Sequence, residues 1–448
     1  MAKRKTGGGG SAKANVGRRY RLEPTPAQHE VLRGFGHTRR YLYNACIAAW
    51  LLAIDLRVRP DASRVVIDEL RACFDWVRVF PSQGANEVVR DVERAFANWV
   101  DPALAKGRPV YEKRGARLRF RVPGQATEVR HLSRKCSEVW VPNLGWVRFR
   151  RHRALPGVVR NATFSFTPSS GWEVSFGVAA KEVLAPPNGL PGVGVDFGVA
   201  CSAFCSDESS PRLMPATLTP GEEQRLWGLE RRKARQLAYA KKHDHGRYSK
   251  RLRKTTASIA DLKARQARRR RDFTHKLTCD LAKNHGFVAT ENLTVKAMTA
   301  SARGSEEEPG TNVSQKAGLN RGILDNTPGE RSRQLDYKCM KLGSVHVPVN
   351  PWGTSQTCPS CTVRDPANRP GCGRAFACVH CGHQAHADKA AAINIERRGA
   401  HELTAAGRAV DSTGRRKPSH APRGVGGSVK RVAPAGQHPP GRVESTVA

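Results

Sequence analysis

Two cysteine pairs, Cys358-Pro-Ser-Cys361 and Cys378-Val-His-Cys381, are separated by sixteen residues. Each C-x2-C pair sets two thiolates on one tight turn, and four thiolates complete the tetrahedron that structural zinc favours. The set is closed, so this zinc is expected to support the fold and to do no chemistry. Cys372, flanked by glycines, reads as a bystander; His380 and His383 lie close enough to substitute as ligands but are not needed. Three carboxylates form a second set. Asp196 ends the apolar run Val193-Gly-Val, Glu291 ends the run opening Phe287-Val-Ala, and Asp388 stands just before the Ala-rich helix Ala390-Ala-Ala-Ile-Asn-Ile. Phosphodiester cleavage needs charge neutralised on the attacking and leaving oxygens, which two Mg²⁺ ions roughly 3.5–4 Å apart supply. Mg²⁺ takes carboxylate, phosphate and water oxygens, and acids from three distant segments meet that need. Any one of them alone is more simply a cap or turn residue.

Composition narrows the partner. The 448 residues carry 76 Lys+Arg against 39 Asp+Glu, a formal charge of +37. A body that basic repels itself unless a polyanion neutralises it, and nucleic acid is the commonest such partner. No run approaches the roughly 18 to 20 apolar residues of a spanning helix, and no apolar signal core opens the chain, which argues against a membrane. Cys46, Cys73, Cys136, Cys201, Cys205, Cys279 and Cys339 are scattered as buried free thiols usually are. Together with the clustered remainder they fit a reducing cytoplasm and a metal, not a disulfide framework.

The elements that position these groups follow from the periodicity. Residues 1–17 read as a flexible basic arm. A short strand at 18–22 is followed by helical patterning through Val31, Leu32, Phe35, Leu42 and Cys46, and again over Pro81–Val100. Residues 107–180 switch to strand patterning, with segments at Val147–Arg151, Ala162–Thr167 and Trp172–Val178. The strand near residue 20 has no local neighbour, so it is expected to join this β-unit and make the helices an insertion. After the Pro/Gly linker at 186–192 come the Asp196 strand, a long Arg/Lys-rich helical stretch at about 221–283, the Glu291 strand, a polar mobile loop at 300–320, a helix and the strand Val345–Val349. The tail beyond about 400 reads as disordered.

The order of these motifs resembles TnpB, the transposon-encoded RNA-guided nuclease, and the miniature type V CRISPR effectors related to it. The likeness covers roughly residues 18–398. It is carried by Tyr20-Arg-Leu-Glu-Pro-Thr-Pro-Ala-Gln, Pro81-Ser-Gln, Arg90-Asp-Val-Glu-Arg-Ala-Phe, Leu144-Gly-Trp-Val and Trp172-Glu-Val-Ser-Phe. In the second half, Gly194-Val-Asp-Phe-Gly-Val, Glu291-Asn-Leu, Thr354-Ser-Gln-Thr-Cys and Arg374-Ala-Phe-Ala-Cys378 carry it. The resemblance implies a multidomain α+β protein. Its RNase-H-like (RuvC) α/β nuclease domain, 187–354 and 384–400, would carry a zinc-ribbon insertion at 355–383 that meets target nucleic acid. A β-barrel-like wedge domain would span 18–26 and 104–186, with an inserted helical recognition domain at 27–103 and a disordered tail at 401–448. It also implies Asp196, Glu291 and Asp388 as ligands of two Mg²⁺, one structural Zn²⁺, and a guide RNA and double-stranded target DNA as partners of a monomer. The family often shows Asp-Arg-Asp with an Asn two residues on, where this chain has His386-Ala-Asp388-Lys-Ala390. The last acid survives and its neighbours do not, which tilts the reading toward a diverged CRISPR effector.

Arg231, Arg232 and Lys233, and Arg268, Arg269 and Arg270, lie in nearly single-signed runs and are expected to grip nucleic-acid backbone. Ser82, Gln83 and Asn86 share the first turns of one helix. They could read an adenine in a short flanking motif or simply cap the helix after Pro81. The leading function is an RNA-guided, Mg²⁺-dependent DNA endonuclease. The alternative is an RNA-guided binder that silences by occupancy, and a transposase stands third because it accounts poorly for the basic surface and the helical insertion.

Overall fold

The computed structural model describes residues 13–405 apart from 58–61, 116, 182–184, 244, 306 and 372. Cys372, most of the expected basic arm and most of the expected tail therefore lie outside the described residues. Strand β1 (Lys13–Arg21) pairs antiparallel with β7 (Gly171–Lys181), from Lys13 opposite Lys181 to Arg21 opposite Glu173. Residues 13–17, expected in the arm, are thus strand: the β7 edge offers ladder partners to the backbone groups that face it. Thr25 then caps helix α1 (Pro26–Asp55) in a capping box with Gln28. The Gln28 Nε2 amide also donates to the Trp146 carbonyl at 2.9 Å, fixing the helix entry against the β-unit. Helices α2 (Ala62–Cys73), α3 (Asp75–Arg78) and α4 (Ser82–Val100) complete the helical insertion.

The antiparallel sheet β1-β7-β6-β2 uses β2 (Leu118–Pro123) and β6 (Val158–Thr167). A three-stranded meander is built from β3 (Val129–Ser133), β4 (Cys136–Val141) and β5 (Gly145–Arg150). Leu22 bridges Phe149 and joins the two sheets. One apolar core runs through both the strands and the inserted helices: the rings of Phe35 on α1 and Phe120 on β2 stand 5.6 Å apart edge-on, with Phe80 at 5.8 Å from Phe35.

The second half is organised by a four-stranded sheet in the order β11-β10-β8-β9. Strands β8 (Val193–Asp196), β10 (Phe287–Glu291) and β11 (Val345–Val349) run parallel, and β9 (Phe204–Cys205) closes the edge antiparallel. Alternation decides the layers. Val193, Val195 and Val288 pack against Leu277 and Leu281, and against Leu335 and Cys339. Ala289, Val347 and Val349 pack against Ile395 on the opposite face.

The basic helical stretch divides into α5 (Pro220–His243) and α6 (Lys250–Asn284). His245 and Gly246 take left-handed backbone and turn the chain back, and the Ser249 side chain caps α6. Leu226 and Leu229 then meet Ile259 and Leu262. After the short α7 (Val295–Met298), helix α8 (Val313–Asp325) replaces the second half of the expected mobile loop, its weak amphipathicity burying only Ile323. Helix α9 (Pro328–Leu342) leads into β11. The hairpin β12 (Ala375–Ala377) and β13 (Gln384–His386) opens directly into α10 (Ala387–Ala405). Asp388 therefore sits inside the first turn of that helix, not before it, and the helix extends past 400. No described helix is long and apolar enough to cross a membrane.

Candidate active site and zinc centre

Parallel pairing brings two of the acids together. Val195 stands opposite Thr290, so Asp196 and Glu291 leave neighbouring strands at the same end of the sheet. The third acid arrives on α10, which lies against β8 closely enough that a Cβ on Gly194 would meet the Ala392 carbonyl at 2.0 Å. Burial first, then the charges of Glu291 and Asp388, pushes the Asp196 carboxyl up to about 7. Glu291 is also raised, by burial, although the Thr354 hydroxyl donates to its Oε1 at 2.6 Å. Three carboxylates that repel one another, with no Lys or Arg ion-paired to any of them among the described residues, form an oxygen donor set that divalent cations complete. Asn394 on α10 donates to the carbonyls of Thr354 and Thr357, at 2.9 and 2.7 Å, and ties this helix to the segment that holds Glu291.

The four cysteines are assembled with similar economy. Cys358 and Cys381 sulfurs are 3.6 Å apart, as are those of Cys361 and Cys378, and all four lie within 4.8 Å of one another. Sulfurs at the corners of a tetrahedron around zinc, each about 2.3 Å from the metal, stand about 3.8 Å apart, so the residues fit the ion. Each pair ends on a left-handed residue, Thr362 and Gly382, whose amide donates back to Cys358 or Cys378. His380 pairs with Asp365 at 3.1 Å instead of substituting as a ligand. Cys358, Phe376 and Cys378 pack on Ala387 and Ala390, so the four-cysteine cluster seats the turn of α10 that carries Asp388.

Sequence reasoning missed Cys201, Thr354 and His386 as parts of the site. The Cys201 thiol lies within 4.8 Å of an Asp388 carboxylate oxygen, and the Asp388 amide donates to His386 Nδ1 at 3.2 Å. No periodicity signals a contact made across three elements. Of the thiols expected to be buried, Cys73 and Cys279 are exposed, because each falls on the solvent face of its helix.

The basic residues divide in two. Arg231, Arg232 and Lys233 make no ion pair among the described residues, and Arg231 and Arg232 help line a cleft of about 1230 Å³ between α5 and α6 with Arg225, Arg235, Arg251 and Lys254. Arg269 instead binds Glu222 at 2.6 Å and Arg270 pairs with Asp325, so these two hold helices together; Arg268 has no such partner. Ser82, Gln83 and Asn86 do lie on the first turns of α4, but Ser82 does not cap it, since the cap position is Pro81 with no side-chain bond. Asn86 Oδ1 accepts from Arg64 at 2.7 Å.

Comparison with known proteins agrees with this architecture. Residues 329–395 match the "Cas12f1-like, TNB domain" model, 175–302 a model described as "Probable transposase", and 15–55 a helix-turn-helix domain model. A solved Cas12f1–sgRNA–target DNA complex shares the multidomain α/β fold with a TM-score of 0.50 at 15% identity over 83% of each chain. A protein of Streptomyces pristinaespiralis named as an RNA-guided DNA endonuclease is 27% identical over 361 residues, covering 77% of this chain and 80% of its own. Another so named, InsQ of Escherichia coli (strain K12), is 35% identical over 400 residues, covering 88% of this chain and 94% of its own. At that identity and coverage, the chain belongs to the TnpB-like family of RNA-guided DNA endonucleases.

Proposed function

We propose that this protein is a guide-RNA-directed DNA endonuclease that hydrolyses target DNA at Asp196, Glu291 and Asp388. The observation that carries the reading is the convergence of these acids from β8, β10 and α10, strong enough to push Asp196 up to about 7. Two Mg²⁺ ions held there would neutralise the attacking and leaving oxygens of a phosphodiester. The chain's own work is positional: parallel pairing sets Asp196 beside Glu291, the Thr354 hydroxyl orients Glu291, and the zinc hairpin holds Asp388 on α10. In this reading 187–354 and 384–400 form an RNase-H-like (RuvC) domain, 355–383 its zinc segment, the β-unit a wedge and 27–103 the recognition helices. The free cations of the α5–α6 cleft take RNA or heteroduplex phosphates, base pairing selects the target, and Ser82 and Gln83 face the flanking motif.

In the guide-loaded protein, Asp196→Ala is expected to preserve binding of matched DNA and abolish its cutting. Cutting that persists in the variant refutes the assignment. A second reading, silencing by occupancy, is favoured by the Cys201 thiol and the His386 ring, which crowd within 4.8 Å of Asp388. Target DNA that stays bound and intact under abundant Mg²⁺ distinguishes it.

A further inference from the structure

Beside the carboxylate centre lies a group of different chemistry. Cys201, His386 and Asp388 each offer a donor atom, and the three donors lie within 4.8 Å of one another. They come from the turn after β8, the end of β13 and the first turn of α10. Cys201 is 2% exposed. Its carbonyl accepts from the Gly198 amide at 3.1 Å, which closes the turn. The next residue is held by a buried polar knot: Arg331 Nη1 donates to the Ser202 carbonyl at 2.6 Å, and the Ser202 hydroxyl donates to Asn326 Oδ1 at 3.1 Å. Asn326 Nδ2 donates in turn to the Val199 carbonyl at 3.0 Å. The turn that presents the thiol is therefore braced from beneath. The His386 ring lies against Phe204, centroids 5.0 Å apart, with Nδ1 4.0 Å from Asp388 Oδ2.

We propose that Cys201, His386 and Asp388 form a second divalent-cation site that takes a thiophilic ion, Zn²⁺ or Co²⁺, and that an ion held there draws Asp388 away from the Mg²⁺ centre. Mg²⁺ asks for oxygen donors throughout. A thiolate with an imidazole and one carboxylate is a mixed donor set that suits borderline ions and leaves a position open for water. On binding, the Cys201 thiol loses its proton to solvent, and the thiolate and the Asp388 carboxylate share the ion. The other mixed cluster, Cys205, Asp207 and Glu208, lacks this character. Its Glu208 is already paired with Arg212 and its Asp207 with His285, whereas Asp388 has no Lys or Arg partner among the described residues. The site stands on geometry alone; its inhibitory effect rests on the nuclease reading.

The test is a cobalt titration of the full chain with its four-cysteine centre already filled by one equivalent of zinc. One further equivalent of Co²⁺ is expected, with thiolate-to-cobalt absorption. Cys201→Ser keeps the side chain's shape while removing the thiolate and should lose that band, while His386→Gln should weaken binding by about tenfold or more. Retained zinc content and melting temperature show that each variant is folded. Absence of the band in the wild type, or a band unchanged in Cys201→Ser, overturns the site. In the guide-loaded complex, Zn²⁺ should suppress Mg²⁺-dependent cutting, and Cys201→Ser should tolerate it at about tenfold higher concentration or more. Equal zinc sensitivity overturns the inhibitory role. A complex that never cuts counts against the nuclease reading, and the cobalt titration still decides the site.

Discussion

Asp196 bears the largest electrostatic load of any residue in the carboxylate centre. Its carboxyl is raised from 3.8 to about 7 by burial and by Glu291 and Asp388, so the native state binds its proton more tightly than the unfolded chain does. The contribution to stability is then present in full below 3.8 and lost as pH rises to about 7. With zinc retained and Mg²⁺ withheld, the melting temperature of the wild type should fall relative to Asp196→Asn across that window, and added Mg²⁺ should close the gap. A difference that stays constant over the same range means that the carboxyl is not held protonated. Because ligands must be deprotonated, Mg²⁺ affinity should drop by up to about tenfold per pH unit below that value. The sequence singled out Asp196 and Glu291 as ends of apolar runs and Asp388 as the acid before an Ala-rich helix, and the order of motifs set these three apart from ordinary caps. Cys201 and His386 were not, since a thiol in a turn and an imidazole in a hairpin become neighbours only through the packing of α10.

Helix α10 is the element on which both centres depend. A Cβ on Gly194 would meet the Ala392 carbonyl at 2.0 Å and the Glu396 amide nitrogen at 2.4 Å. Both are backbone atoms, so the helix itself must shift. Gly194→Ala is expected to cost on the order of 3 kcal/mol in urea unfolding, whereas Gly221→Ala, with nothing within 4 Å of its added Cβ, should be nearly silent. Zinc acts through the same helix. Cys378→Ser should release the metal, measured by atomic absorption, and abolish DNA cutting while the β-unit and its helical insertion stay folded. Retained cutting in zinc-free protein would mean that Asp388 needs no such seat. Strands and helices with clean periods, such as β10, β11 and α4, could be read from sequence. The division of α5 from α6 could not, because a short polar turn between two equally basic segments leaves the composition unchanged. Nor could the true start of β1, whose pairing is set by a strand some 160 residues away.

Across the whole molecule, the formal charge of +37 is an excess that internal ion pairs cannot neutralise, because each pair takes one acid for every base. Replacing Arg231, Arg232 and Lys233 with Ala should weaken RNA binding and lower the salt slope of its affinity by about two, at about 0.7 per released single-strand contact. Replacing Arg269 and Arg270 should instead lower the melting temperature, because their charges are spent on Glu222 and Asp325. An equal salt-slope change in both sets would erase that division. The basic character was plain from composition, but its partition was hidden, since the acids that pair with Arg269 and Arg270 come from other helices. The late position of α10 has a consequence for biosynthesis. A ribosome-bound chain can pair β8 with β10 and β11 while Asp388 is still unmade, so the nascent protein holds two acids of three. On the proposed assignment, a nuclease assembled in this order gains its third acid only after the four-cysteine hairpin has emerged and folded.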